Sequence, residues 1–242
     1  MNRRSRTRAK SRSTKRAKTR RNWLLRVFFI CIMLSLLPVV VLRWVAPSAS
    51  SVMLQRILLD GDKLRYEWVP IERIAPAASL AVVAAEDQKF PDHWGFDTQA
   101  IQNAVETWGR GGRLRGASTL TQQVARNLFL WQGRSYVRKA LEAWFTLLLE
   151  LVWPKQRILE VYLNIAEMAP RTFGIQAASR RYFGKSAAAL SPGEAALIAA
   201  VLPNPVRYRV DAPSEYVLSR RSHILQQMSQ LGGASYLRDI LH

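Results

Sequence analysis

"AAEDQKFPDHWGFD", residues 84–97, is the stretch on which the reading of this chain turns. A helical run of small residues, Ala77 to Ala85, ends abruptly in Glu86 and Asp87, and Lys89, Phe90, Asp92, His93 and Trp94 come within ten residues of Glu86. A carboxylate held against a small, apolar surface has its charged form disfavoured, which raises its proton affinity toward that of a useful base. A solvated helix end is written with the same residues. The flanking sequence decides between the two.

Upstream lies a membrane signal. The net charge of +19 is concentrated at the start, where residues 1–21 hold eleven Lys/Arg and no acid. From Pro47 onward 23 basic residues face 17 acidic ones, so the remainder is only moderately basic. The tail is too polar to bury a core and is expected to be disordered. It can be read as a nucleic-acid arm held by phosphates. The adjoining segment argues against that, because Val27 to Leu42 carries no charge and is bracketed by Arg26 and Arg43. Counted from Trp23 to Val45 the apolar stretch reaches about 34 Å as a helix, enough for a hydrocarbon core of about 30 Å. Trp23 and Trp44 suit the two interfaces, and Pro38 is tolerable inside a spanning helix. The expected organisation is a basic cytoplasmic tail (1–22), a single transmembrane anchor (23–46), a linker (47–56) and an exported, periplasmic domain (57–242), oriented by the positive-inside rule. A cleaved signal peptide is the alternative, since "VAPSAS" offers small residues. The sole cysteine, Cys31, lies in the span, so no intramolecular disulfide can form.

Downstream, Asp60-Gly61 between short alternating runs (56–71) predicts a hairpin. Beyond it the pattern is helical. Ser118 is placed to cap a helix to about Leu130, and Ser135 another to about Val152. Pro154 suits the first turn of a helix through PKQRILEVYLNIAEM, and Ser191-Pro192-Gly193-Glu194 combines a cap, an N1 proline and a capping-box glutamate. A last helix runs from Pro213 to Leu231, stopped by Gly232-Gly233. The exported part is mainly α.

Several chemistries are excluded. His93, His223 and His242 are scattered without metal-ligand spacing, and no cysteine lies outside the span. Neither a Gly-x-Ser-x-Gly elbow nor Ser-x-x-Lys nor Lys-Thr-Gly occurs. Gly109-Arg110-Gly111-Gly112 alone is a weak phosphate-loop signal. Carboxylates remain: Glu86 and Asp87, then Glu142, one turn past Arg138 and Lys139, and the helical Glu150 and Glu160. For each, an ion-paired or solvated surface role competes with chemistry. Residues 113–139 interleave Arg113, Arg115, Arg126, Arg134, Arg138 and Lys139 with hydroxyls, glutamines and aromatics. Free N–H groups at a helix start beside arginines suit anionic oxygens, as a basic face suits anionic lipid.

These residues fall into a recognisable order. Glu86-Asp87-Gln88-Lys89-Phe90 with His93 and Gly95 resembles the first motif of the peptidoglycan glycosyltransferases, glycosyltransferase family 51. RGASTLTQQVARNLFL (115–130) resembles the second, Arg138-Lys139-x-x-Glu142 the third, and Lys155-Gln-Arg-Ile-Leu-Glu160-Val-Tyr162-Leu-Asn164 the fourth. FGIQAASRRYFGK (173–185) and EAALIAAVLPNP (194–205) complete the series. With one span and no transpeptidase domain, the chain looks like the monofunctional, biosynthetic form. Two positions depart from the pattern: Ala117 stands where a glycine is usual, and Arg126 where a lysine is common.

The resemblance implies a lysozyme-like, two-lobed α domain whose cleft holds two polyprenyl-pyrophosphate-linked sugars, the nascent glycan strand as donor and lipid II as acceptor. The acceptor's 4-hydroxyl attacks the anomeric carbon with inversion, forming a β-1,4 bond and releasing undecaprenyl pyrophosphate. By motif position Glu86 is the base, and Glu142 stabilises the donor side through the cations or through a bound divalent ion (Mg2+ or Mn2+) near the pyrophosphate. Asp87, Lys89, Phe90, His93, Ser118, Thr119, Gln122, Gln123, Arg126, Arg134, Arg138, Lys139 and Lys155 are the implied substrate-binding residues, with Asp87 and His93 shaping the loop rather than reacting. The expected partners are these substrates, membrane lipid, and division or elongation proteins reached through the anchor, with no nucleic acid. The rival readings are a lysozyme-like lytic enzyme and a non-enzymatic envelope scaffold.

Overall fold

The computed structural model describes residues 4–61, 63–110, 118–133 and 135–241, with the backbone alone at 4–21, 24, 60, 105, 108 and 234. The chain divides into two units, Met1–Trp44 and Val45–His242. The first is built on one helix, α1 (Arg4–Leu42), with Pro38 inside it. Its segment Leu25–Leu42 has a mean hydropathy of 2.7 and is long and apolar enough to cross a membrane.

The second unit opens on a correction. Residues 51–60, expected partly as linker and partly as a hairpin arm, form α2 (Ser51–Asp60), capped by the Ser50 hydroxyl accepting from the Met53 amide. Asp60-Gly61 is not a hairpin turn, because Gly61 takes the left-handed conformation (φ 71°) that ends a helix. An Asp-Gly pair serves either purpose, and tertiary anchoring decides. Val52 and Met53 are buried, while the Ser51 hydroxyl donates to the Leu130 carbonyl at 2.8 Å.

After α2 come β1 (Arg65–Tyr66), α3 (Pro76–Glu86), α4 (Thr98–Gly109), α5 (Leu120–Phe129), α6 (Tyr136–Val152) and α7 (Lys155–Ile165). Next are β2 (Glu167–Ala169), β3 (Thr172–Phe173), α8 (Ile175–Phe183), α9 (Pro192–Val201), α10 (Glu215–Gln230) and a short α11 (Arg238–Leu241). The three strands form a small sheet in the order β1-β3-β2, parallel between β1 and β3 and antiparallel between β3 and β2. Several helix starts obey the capping chemistry of the sequence. Ser135 caps α6, and Ser191 with Glu194 closes a capping box on α9. The start of α5 lies one residue later than expected, with Thr119 rather than Ser118 as cap and Gln122 completing its box.

Two features of this core position the site. α3 is buried continuously from Ala78 to Ala84 and packs against α9, another run of alanines and β-branched residues, and against α10. Small side chains let these helices approach closely, and each fully buried Val or Leu adds about 1.5–3 kcal/mol. The last turn of α3 therefore delivers Glu86 and Asp87 from the core into a cleft. The second feature is Asn164 on α7, fully buried, whose amide accepts from Val69 N at 2.8 Å and donates to Val69 O at 2.9 Å. This ties the segment before α3 to α7. Gly174 (φ 85°) passes so close behind that a Cβ there would lie 2.5 Å from the Asn164 carbonyl oxygen.

Candidate active site

Glu86 is the last residue of α3, and its carboxylate is largely buried. One oxygen accepts from Gln123 Nε2 on α5 at 3.0 Å, while the other lies 3.5 Å from the Arg220 guanidinium on α10. Burial raises its proton affinity above that of an ordinary glutamate. The Gln123 amide, Arg220 and Arg126 pull against that rise, and Asp87 adds to it. Tyr162 on α7 points its hydroxyl at Gln123 Oε1, 3.4 Å away, and is itself held protonated by burial and by the Glu86 charge. The carboxylate is thus gripped by a neutral amide and a loosely placed cation. That leaves it able to take up a proton.

Cavities lie on both sides of the Glu86–Gln123 pair. One, of about 380 Å³, is lined by Glu86, Lys89, Ser118, Arg220, His223 and neighbours. The other, of about 480 Å³, is lined by Gln123, Arg126, Asn127, Trp131, Arg138, Tyr162 and neighbours. Glu86 opens onto the first and its hydrogen-bond partner onto the second. Lys89 is exposed beside the first cavity and donates to Gln99.

Behind this cleft stands a buried frame. Asp87, 7 % exposed, accepts from the Leu120 amide at 2.8 Å and meets His93 Nε2 at 2.9 Å. The Thr119 hydroxyl donates to the Gly95 carbonyl at 2.7 Å and caps α5, so the Glu86 loop and the α5 start are one structure. Gly95 must be glycine: at φ 75° a Cβ would meet Thr146 Cγ2 at 2.7 Å and Glu150 Cγ at 2.9 Å. Lys155 pairs with Glu150 at 2.9 Å, donates to the His93 carbonyl and lies over the Phe90 ring. Among the expected substrate contacts, Phe90 has no exposed surface, while Thr119 and Gln122 are buried in their own capping box. Asp87, His93 and Lys155 are spent on internal bonds. Phe90, His93, Gln122 and Lys155 line neither cavity, whereas Asp87 and Thr119 border the smaller one while making these internal bonds.

A second carboxylate is held very differently. Glu142, 1 % exposed, receives Arg138 Nη1 at 2.8 Å on one oxygen and Lys139 Nζ at 2.5 Å on the other. Arg138 also lines the larger cavity, with Arg126, whose Nε donates to Asn127. Glu142 thus braces Arg138, which lines that cavity. Arg134 and Ala117 lie outside the described residues, as do Gly111 and Gly112 of the weak phosphate-loop signal.

The transglycosylase family model matches residues 51–229, from α2 to nearly the end of α10. The chain belongs to the transglycosylase family. It is 50 % identical over 234 residues to a biosynthetic peptidoglycan transglycosylase of Xanthomonas campestris pv. campestris (strain B100), covering 94 % of this chain and 95 % of that one. It is 54 % identical over 211 residues to the protein of that name in Pseudomonas entomophila (strain L48), covering 85 % and 89 %. A third, from Xylella fastidiosa (strain M12), is 51 % identical over 220 residues, covering 88 % and 90 %. The mainly α, lysozyme-like domain expected from the motifs is therefore the fold of this transglycosylase.

Transglycosylase chemistry raises the question of a divalent ion. Among the described residues no group of three or more His, Cys, Asp or Glu is arranged to hold one. Both oxygens of Glu142 are taken by cations, and Glu86 faces an amide and a guanidinium. The described side chains of this transglycosylase do not build a resident Mg2+ or Mn2+ site. Arg220 is the residue the motifs do not point to. It lies 134 positions after Glu86, in a helix that carries none of the six motifs, and no local pattern marks it.

Proposed function

We propose that this chain is a peptidoglycan glycan-chain polymerase that transfers the growing polyprenyl-pyrophosphate-linked strand onto the 4-hydroxyl of lipid II. The observation that carries this reading is the buried Glu86 carboxylate, held by Gln123 between two cavities, with its proton affinity raised. The acceptor sugar lies in the smaller cavity and the donor in the larger. Glu86 takes the proton of the acceptor hydroxyl as its oxygen attacks the donor's anomeric carbon from the face opposite the leaving group. The bond from that carbon to the pyrophosphate oxygen breaks, and its electron pair leaves with undecaprenyl pyrophosphate. The new β-1,4 linkage is inverted, with no enzyme-bound intermediate.

Charge gathers on the pyrophosphate as the bond breaks. Fixed cations placed where charge develops lower that barrier without having to reorganise. Arg126, Arg138 and Lys139 fill this role, the last two aligned by Glu142, and Arg134 joins them by its motif position. Ser118, Lys89 and Gln123 touch substrate oxygens. Asp87, Phe90, His93, Thr119, Gln122 and Lys155 hold the loop that presents Glu86. The α1 anchor leaves the tail in the cytoplasm and the catalytic domain in the periplasm of a bacterial inner membrane, where both substrates keep their lipid tails. The exposed Trp94 (73 %) suits contact with lipid. Division or elongation proteins meet the chain through the anchor.

Purified full-length chain supplied with lipid II is expected to yield polymer on a gel, sensitive to a muramidase. Soluble fragments from intact sacculi, with no polymer from lipid II, would instead make it a lytic enzyme. Neither product would leave a scaffold.

A further inference from the structure

We propose that Arg220, on α10, is a positioning residue for polymerisation: across from Gln123, its guanidinium holds the Glu86 carboxylate as an anion facing the smaller cavity. This rests on the reading of Glu86 as the base. One Arg220 Nη lies 3.5 Å from Glu86 Oε1 and donates to the Ala85 carbonyl at 3.4 Å, so it braces both the side chain and the last turn of α3. Its side chain is 26 % exposed, and its Nε is buried with no hydrogen-bond partner among the described residues. The same guanidinium lines the 380 Å³ cavity with Glu86, Lys89 and His223. Its neighbour in sequence, Arg221, is committed elsewhere, donating to the Gly193 carbonyl at 2.9 Å. The two arginines therefore do separate jobs: Arg221 ties α10 to α9, and Arg220 reaches the base.

The charges around Glu86 make this consequential. From α5 come Gln123 and Arg126, and from α10 Arg220 and His223, with His223 lining the cavity beyond. Asp87, next in the chain, is bound to His93 and the Leu120 amide. α7 contributes Tyr162 through Gln123, and the turn at 233–237 contributes Tyr236, which donates to the Gln88 carbonyl. α9 offers only Glu194, already paired with Lys185. Burial and Asp87 favour the protonated form of Glu86, while Gln123, Arg220 and Arg126 oppose it. A protonated Glu86 cannot accept the acceptor's proton. Arg220 ranks ahead of Arg126 among the cations opposing protonation, and its guanidinium lies within ion-pair distance of the carboxylate, at 3.5 Å.

Removing Arg220 raises the proton affinity of Glu86, so the base is ionised only at higher pH and the acidic limb of the pH–rate profile moves upward. An opposite charge at this range shifts a carboxylate by about one pH unit or more. The experiment is a pH–rate profile for lipid II polymerisation by the full-length chain in detergent or vesicles. It compares wild type with Arg220→Gln, Arg220→Met and Arg220→Lys, and with Glu86→Gln as reference. Either neutral variant that folds is expected to move the acidic limb up by about one unit, and so to lose about tenfold in rate at pH values low on the wild-type acidic limb and much less at the wild-type optimum, with KM for lipid II changed less than about twofold. Activity returns as pH rises, and Arg220→Lys recovers the wild-type limb. A neutral variant that folds but keeps the wild-type limb overturns the proposal, as does one whose loss is equal at every pH. Full activity of Glu86→Gln would instead overturn the assignment of the base, a result separable from both.

Discussion

Glu86 and Glu142 are both buried carboxylates on helices of the same unit, and they are satisfied in opposite ways. Glu142 has a cation on each oxygen, at 2.8 and 2.5 Å. Glu86 has an amide at 3.0 Å and a guanidinium at 3.5 Å, and burial lifts its proton affinity. A carboxylate with both oxygens taken by close cations has none left for a substrate proton and serves to hold those cations in place. A carboxylate held mainly by an amide can take a proton and give it back. Burial alone does not distinguish a base from a brace; the partners do.

The largest test of that contrast is Glu86→Gln. It removes the only proton acceptor assigned to the acceptor hydroxyl, and polymerisation is expected to fall by about a thousandfold, within the usual worth of a general base. Folding should survive. A carboxyl whose proton affinity is raised by folding loses stability as pH climbs from its unfolded value through its folded one. Its ionised form therefore costs stability at neutral pH. The glutamine variant should melt at the same temperature as wild type or above it.

Glu142→Gln is expected to behave in the reverse sense. Removing one partner of a buried ion pair leaves cations unpaired and costs about 3 kcal/mol, partly offset because Lys139 is half exposed. A clear fall in melting temperature is expected, with polymerisation reduced about tenfold to a hundredfold and the acidic limb of its pH profile unmoved. Equal losses from the two substitutions, with equal stability effects, would erase the distinction.

Gln123→Ala sharpens the Glu86 side. Without the amide, burial is less opposed and the acidic limb should move up by about half to one unit, with rate lost chiefly below neutral pH. The smallest effect belongs to a surface reference. Glu194, paired with Lys185 and with the α9 cap, is pulled down to about 2. Its stabilisation is present above the ordinary glutamate range and fades as pH falls toward about 2. Because the pair is open to solvent, Glu194→Gln should cost less than about 1 kcal/mol in a thermal melt and leave polymerisation unchanged.

Local chemistry in the sequence locates most helices, and caps explain why. Ser135, Ser191 and Glu194 announce helix starts through bonds made within four residues. α2 has a serine cap of the same kind at Ser50, but Leu54, Leu58 and Leu59 are exposed, so its apolar residues do not mark a buried stripe, and Gly61 reads equally as a turn. The site divides along the same line. Glu86, Arg126 and Glu142 stand inside ordered motifs and are legible as chemistry. Whether a motif residue faces the cleft or the core is not: Phe90 and Lys155 are written like their exposed neighbours, and only packing turns them inward. Arg220 reaches Glu86 through the packing of α10 on α3, a contact across 134 positions with no local trace.

The central claim, that Glu86 and not Glu142 is the base, is tested most directly by initial rates of lipid II polymerisation by Glu86→Gln and Glu142→Gln, side by side across pH. The account predicts no more than residual polymer from the first at any pH, and a slowed rate with the wild-type acidic limb from the second. Polymer from Glu86→Gln at a rate near wild type, or an acidic limb lost only in Glu142→Gln, would contradict it.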